Sequence, residues 1–471
     1  MKGEEKTKYI KNIFIIVTII LVLLAIYIIC VRNINKPEDN ERNVKKVEIK
    51  KDIIIGVTEF DTLNPITTKS LEVQYISKLI YKPLIEITQN FNIEAGLAKE
   101  CSKTGNTEYI IKLDDVKWQN GSIVTARDVE FTINMIKETD SIYKQNVEKI
   151  ESIDIIDDKT IKVKLAEETS FFEYLLCFPI VKENTYNNEN IGTGPYKVEE
   201  INNKEIILGN EERKITIKIY DSVAEMYSNF TKEKLDFIIT QNNEYDEHIG
   251  NIGFSEQLIT GRNYYYLTFN NKKLEKEIKN QIKNLLNREK IIYEIYNNKY
   301  KVADFPLEYG SYLCNYMEKT NTENAEIPIQ LTLGVSNDEE LYAIAEQIKK
   351  QLNEKDIEIN IKYYNRFEDA IKNNYYDLLL NKKMVDIMPK IDYYFQEIET
   401  KNKILGIYDI EDKNVLKEEY NKIIEQYKEE IPFMGLFFDS YIILHNSKLK
   451  GDFSGNWYNP FYNIDTWYKV E

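Results

Sequence analysis

Residues 116–133 read VKWQNGSIVTARDVEFTI. Asn120-Gly121 is a turn signal, because both residue types tolerate positive φ. Thr125 stands where a helix cap belongs, with Asp128 three residues on, which is the spacing of a capping box. Val129, Ile133 and Ile136 then follow as one buried stripe. Just upstream, YIIKL (109–113) alternates like a strand. Downstream, IESIDIIDDKTIKVKL (150–165) reads as two strands around an Asp157-Asp158 turn. Residues 89–189 therefore read as an inserted α+β domain.

The texture changes on both sides of that insertion. IIIGV (53–57) is a short apolar strand, and a helix is predicted over 70–81. KITIKIYDS (214–222), a helix to about Lys232 and LDFIIT (235–240) make one βαβ unit. A second unit starts at IQLTLGV (329–335). Leu341, Ile344, Ala345, Ile348 and Leu352 then recur at helical spacing, and IEINIKYY (357–364) and YDLLL (376–380) are strands. Between the units, Leu274, Ile278, Ile282, Leu285 and Leu286 share a helix face, and Asn287 caps the helix that follows. The expected fold is α/β with two lobes: lobe I from 52–88, 190–263 and 445–471, and a distal lobe from 264–444. Two such lobes leave a cleft, which is a common ligand site.

The totals agree with this layout. A chain of 471 residues exceeds one ordinary core. Its net charge, 62 − 78 = −16, argues against a nucleic-acid surface. The 35 tyrosines suit crevices, because each buries a ring and keeps a polar tip. Cys30, Cys101, Cys177 and Cys314 form no CxxC, which argues against zinc and thioredoxin-type sites. One bridge among the last three stays open.

Residues 13–31, IFIIVTIILVLLAIYIICV, carry no charge. As a helix they span about 28 Å, close to a hydrocarbon core of ~30 Å. The run is long for a signal h-region, and no small-residue cleavage site follows. Tyr27, Ile28 and Ile29 before Cys30 are not a lipobox. The expectation is an uncleaved single-pass anchor, with residues 1–12 cytoplasmic, 32–51 a charged tether and the main body outside the cell membrane.

IGTGPYKV (191–198) concentrates Gly192, Gly194 and Pro195. Gly takes backbone angles barred to other residues and Pro fixes its own φ, so this segment specifies one bent path back into lobe I.

Several of these segments resemble the family 5 extracellular solute-binding proteins, the oligopeptide- and dipeptide-binding receptors of ABC importers. VKWQNGSIVTARDV resembles the family's V-K-W-x-x-G-x-x-x-T-A-x-D-V signature, and IGTGPYKV its G-T-G-P-Y-K element. YYYLTFNN (264–271), IKNLLNREKII (282–292) and IPFMGLFF (431–438) resemble further family segments. The resemblance spans most of 53–467. It implies a periplasmic-binding-protein-like (type II) clamp, a peptide held between the lobes and delivery to a membrane permease by a monomer without cofactor.

It also implies site residues. YYDLLLNKKMVDIMP (375–389) places Asp386 nine residues after Asp377, where the family's amine-binding carboxylate falls. The segment departs from the family where Lys382-Lys383 replace Gly-Trp, where a second Asp is absent and where Pro389 comes one residue early. Tyr264, Tyr265 and Tyr266 sit at the crossing into the distal lobe, and one or two are expected to line the cleft. Asp439 and Tyr441 lie near the return crossing. Arg262 could meet a ligand carboxylate but reads first as a surface residue. Against catalysis and against nickel or haem ligands stands the histidine count: His248 and His445 are the only two. The alternative function is a sensor or adhesin that keeps the fold without transport.

Overall fold

The computed structural model describes residues 49–184, 190–241, 245–250, 252–316, 330–372 and 374–470. The expected N-terminus, the anchor 13–31 and all but the end of the tether lie outside the described residues. Among the described residues no helix is long and apolar enough to cross a membrane. The end of the tether differs from expectation. Ile49–Lys50 is a strand, pairing with Tyr468–Val470 through Ile49↔Val470, so the body begins there.

An eleven-stranded sheet runs through the body. At one end Ile53–Val57 lies between Lys214–Ile219 and Phe237–Thr240, all parallel. Helix Val223–Thr231 makes the crossover, capped by Ser222, whose hydroxyl accepts from Glu225 N. At the other end Gln330–Ser336 pairs in parallel with Glu358–Tyr364 and Leu378–Met384. Helix Glu339–Asn353 connects the first two of these, with the expected stripe of Leu341, Ile344, Ala345, Ile348 and Leu352 buried. Asn287 caps the helix Arg288–Tyr296 as read, accepting from Lys290 N.

Two long antiparallel strands, Phe254–Phe269 and Phe433–Asn446, join these ends. Phe254 to Thr260 pairs with Asn446 to Ser440, the register breaks, and Tyr264 to Thr268 then pairs with Phe438 to Phe433. The register break lies at Gly261–Asn263. The return crossing differs from expectation. Ser440 to Leu444 pair with Thr260 to Glu256, and Ile442 to Leu444 also with Thr240 to Ile238, so the chain is back in lobe I by residue 440 rather than 445. Every residue of Phe433–Asn446 is buried, as befits a strand covered on both faces.

The insertion folds as an antiparallel sheet in the order Ala98–Gly105, Glu108–Leu113, Thr160–Leu165, Ile150–Asp157, with helix Ala126–Glu138 beside it. Asp128 is buried and gathers four donors: Thr125 N at 2.8 Å, Thr125 Oγ1 at 3.2 Å, Glu183 N at 2.9 Å and Trp118 Nε1 at 3.3 Å. Gly121 turns the chain at φ +88°.

The Gly-Thr-Gly-Pro element is structural for a reason other than backbone angles, since neither glycine has positive φ. The chain passes so close to the end of helix Leu71–Ile80 that a Cβ on Gly192 would lie 1.8 Å from Ile80 O. Gly194 N donates to Ile80 O and Tyr196 N to Leu79 O. The Gln119 amide closes the clasp, donating to Gly194 O and Tyr196 O. This clasp ties the insertion to a lobe I helix that lines the site. Cys101, Cys177 and Cys314 are free thiols.

Candidate functional site

A cavity of about 640 Å³ opens where the long strands cross between the two ends of the sheet. Helix Leu71–Ile80 contributes Tyr75 and Lys78, the insertion Tyr143 and Cys177, the crossing Arg262 and Tyr441. The loop after Leu378–Met384 contributes Asp386, and the C-terminal segment Trp457 and Tyr458. All three parts of the body therefore meet at one space within the size range of ligand pockets.

Asp386 is exposed on this cavity, and among the described residues its Oδ1 accepts only from Met388 N at 3.3 Å. Its loop is held from both sides. Val385 N donates to Arg262 O, and Arg262 Nε and Nη2 return bonds to Val385 O at 3.2 and 3.1 Å. Below the loop, Tyr420 Oη donates to Pro389 O. Arg262 is half-buried rather than a surface residue. Its guanidinium lies 4.5 Å from the Trp457 ring centroid, a cation–π contact.

Lys78 carries no family or sequence signal, yet it is central to the electrostatics. Its ammonium sits 4.1 Å from the Tyr458 ring centroid. Desolvation pushes its pKa down to about 8. Burial also pushes the Cys177 thiol up to about 11, while Lys78 pulls it down and Asp386 pushes it up, so both charges reach the same sulfur. Among the described residues neither Lys78, Arg262 nor Asp386 is in an ion pair. The indole N–H of Trp457 is buried without an acceptor among the described residues. The cavity wall thus carries four cations, Lys78, Lys149, Arg262 and Lys390, and two carboxylates, Glu148 and Asp386, in a chain of net charge −16, and of these Lys149 pairs with Glu167.

Tyr441 lines the cavity and burial raises its pKa, while Tyr75 Oη donates to Trp457 O at 3.1 Å. Tyr264, Tyr265 and Tyr266 do not line it, which corrects the expectation for the crossing. All three are at most 1% exposed. Tyr264 Oη donates to Asp304 O at 2.7 Å, Tyr265 Oη to Glu340 at 2.7 Å, and Tyr266 Oη accepts from Asn381 Nδ2. Alternation does send neighbours to opposite faces, but here both faces are core. Asp439 is likewise absent from the cavity wall. It is 5% exposed and brackets the crossing, accepting Asn263 N at 2.8 Å and Asn263 Nδ2 at 2.7 Å. Burial raises its pKa. Lys382, one of the departures from the family segment, pairs with Glu340 at 2.8 Å inside the distal lobe. The histidines are elsewhere: His445 stacks on Phe453 at 4.0 Å and His248 on Tyr227 at 5.9 Å.

Residues 92–404 match the model of the bacterial extracellular solute-binding proteins, family 5 Middle. The nickel-binding protein NikA of Staphylococcus aureus is 24% identical over 421 residues, 78% of this chain and 84% of that protein. Among solved structures, the periplasmic murein tripeptide binding protein MppA in its unliganded open form superposes with a TM-score of 0.75 at 15% identity. It covers 90% of this chain and 98% of its own. The oligopeptide-binding protein AppA of Bacillus subtilis, in complex with a nonapeptide, gives a TM-score of 0.53 at 18% identity and covers 90% and 100%. These likenesses establish a two-lobed, mixed α/β, periplasmic-binding-protein-like fold.

Proposed function

The chain belongs to the family 5 bacterial extracellular solute-binding proteins, the binding components of ABC importers, and from that we propose that its cavity captures short peptides with free ends. Members of this family bind substrates rather than transform them. The observation that carries the peptide reading is one cavity in which the carboxylate of Asp386 and the cations of Lys78 and Arg262 are, among the described residues, in no ion pair, as are Glu148 and Lys390 of the same wall. A zwitterion answers that pattern. Its ammonium would face Asp386, and its carboxylate would face Lys78 and Arg262, with the Trp457 N–H as a further donor.

Charge placement also favours a peptide over a bare metal ion. Neither histidine is in the cavity wall, and its one thiol is held protonated at neutral pH by burial. A ligand bridging the loop at Asp386 and the helix at Lys78 contacts both lobes at once. Such contacts exist only in a closed arrangement, so binding would favour closure about the crossing at Gly261–Asn263. We further propose that residues 13–31 anchor the chain in the cell membrane, with the body outside and close to its permease.

Native mass spectrometry of the full chain with a defined pool of di- to pentapeptides tests this reading. Saturable, stoichiometric adducts of free-ended peptides are expected. A folded protein that retains none would refute it and favour a sensor that keeps the fold without the cargo.

A further inference from the structure

The cavity just described shares Thr169 and Tyr174 with a second one of about 470 Å³, which lies between the insertion and the segment leading into helix Lys413–Glu430. Its walls are aromatic. The Phe171 ring centroid is 5.2 Å from that of Tyr408 and 5.9 Å from that of Tyr174, and Tyr312 lines the same space. Glu173 is half-buried in it and has neither an ion pair nor a hydrogen bond among the described residues. Glu411, exposed at the rim, is likewise unpaired. The two lysines of this cavity are engaged elsewhere. Lys103 Nζ pairs with Glu168 at 3.0 Å, and Lys413 Nζ donates to Ile93 O at 2.9 Å. Asp409 accepts from Ser170 Oγ at 2.9 Å, a direct bond from distal lobe to insertion.

We propose that this second cavity takes a cationic side chain of the bound ligand, an ammonium or guanidinium, with Glu173 as counter-ion and Phe171 and Tyr408 as aromatic walls. The proposal rests on the peptide reading above and narrows the substrate class to peptides carrying lysine or arginine. Three physical arguments agree. Aromatic faces attract cations, and more strongly where water is excluded. The aliphatic stem of lysine or arginine covers apolar ring surface while its charged head reaches a polar group. Burial raises the Glu173 pKa, the nearby Lys413 offsets part of that and Glu411 adds to it, and the net shift is upward, so an incoming cation relieves a desolvated carboxylate. Thr169 and Tyr174 border both cavities, so the two lie side by side, and a ligand reaching from one to the other would advance roughly 3.3–3.6 Å per extended residue.

The test is calorimetric titration of the full chain, kept in mild detergent, with trilysine, trialanine and 1,5-diaminopentane, repeated for Glu173→Gln, Glu411→Gln and Asp386→Asn. Trilysine is expected to bind at least about tenfold tighter than trialanine, or about 1.4 kcal/mol. Glu173→Gln should reduce that ratio to within about threefold and abolish diaminopentane binding. Glu411→Gln, on the surface, should lower the ratio by about twofold without affecting the fold. Asp386→Asn should weaken both tripeptides by the same factor and leave diaminopentane unchanged. A ratio near one in the native chain, or a ratio that survives Glu173→Gln, overturns the cation pocket. If neither tripeptide binds while diaminopentane binding depends on Glu173, the peptide reading falls and the pocket stands.

Discussion

Gly261 and Asp439 are in contact at the crossing between the lobes: a Cβ on Gly261 would lie 2.1 Å from Asp439 Oδ1. The carboxylate needs that space to accept both the backbone and the side-chain N–H of Asn263. Gly261→Ala must displace one strand or break the bracket. The expected cost is about 1–3 kcal/mol of stability, read as a lowered urea midpoint. An unchanged midpoint would show that the crossing tolerates a side chain.

Asp386→Ala is expected to weaken free-amine tripeptides by more than tenfold, about 1.4 kcal/mol, when titrated calorimetrically. N-acetylated peptides should lose nothing further, since they present no ammonium. Equal losses for both would make Asp386 a loop-holding residue.

Lys78 gives the cleft a pH dependence. Its free-state pKa is depressed to about 8, and a bound carboxylate stabilises the ammonium and raises that pKa. Between the two values the complex holds a proton that the free protein lacks. Affinity is therefore full below about pH 8 and falls as pH rises past it. A free peptide amine also loses its proton at about pH 8, so Lys78→Met should bind more weakly at pH 7 and keep only the part of the fall that comes from that amine. Peptide binding to the native chain measured at pH 7, 8 and 9 checks the sign.

Tyr264→Phe separates core from cleft. The variant loses the bond to Asp304 O, which still accepts from Tyr427 Oη at 3.0 Å. A stability loss of about 1 kcal/mol is expected, with peptide affinity unchanged. A tenfold loss of affinity without loss of stability would return Tyr264 to the ligand.

The scaffold could be read from the sequence because its signals are local. Asn287, Asp128, Gly121 and the stripe Leu341 to Leu352 each act within a few residues, and each is found in its expected place. The cleft was harder, because it is assembled from distant segments. Lys78 looks like any polar residue of an amphipathic helix until Tyr458 folds over it from the far end of the chain. Arg262 reads as surface until Val385 O and the Trp457 ring enclose it. The three tyrosines misled for a different reason. Tyr264 and Tyr266 pack into one apolar core and Tyr265 into another, so both faces of their strand are covered and no alternation remains to mark a cleft side.

The central claim is that one ligand joins Asp386 to Lys78 and Arg262 through its two charged ends. Calorimetry of the full chain with trialanine and with its N-acetylated, C-amidated form tests that directly. The unblocked peptide should bind at least about a hundredfold more tightly, or about 2.7 kcal/mol. Equal affinity for the two forms would contradict it.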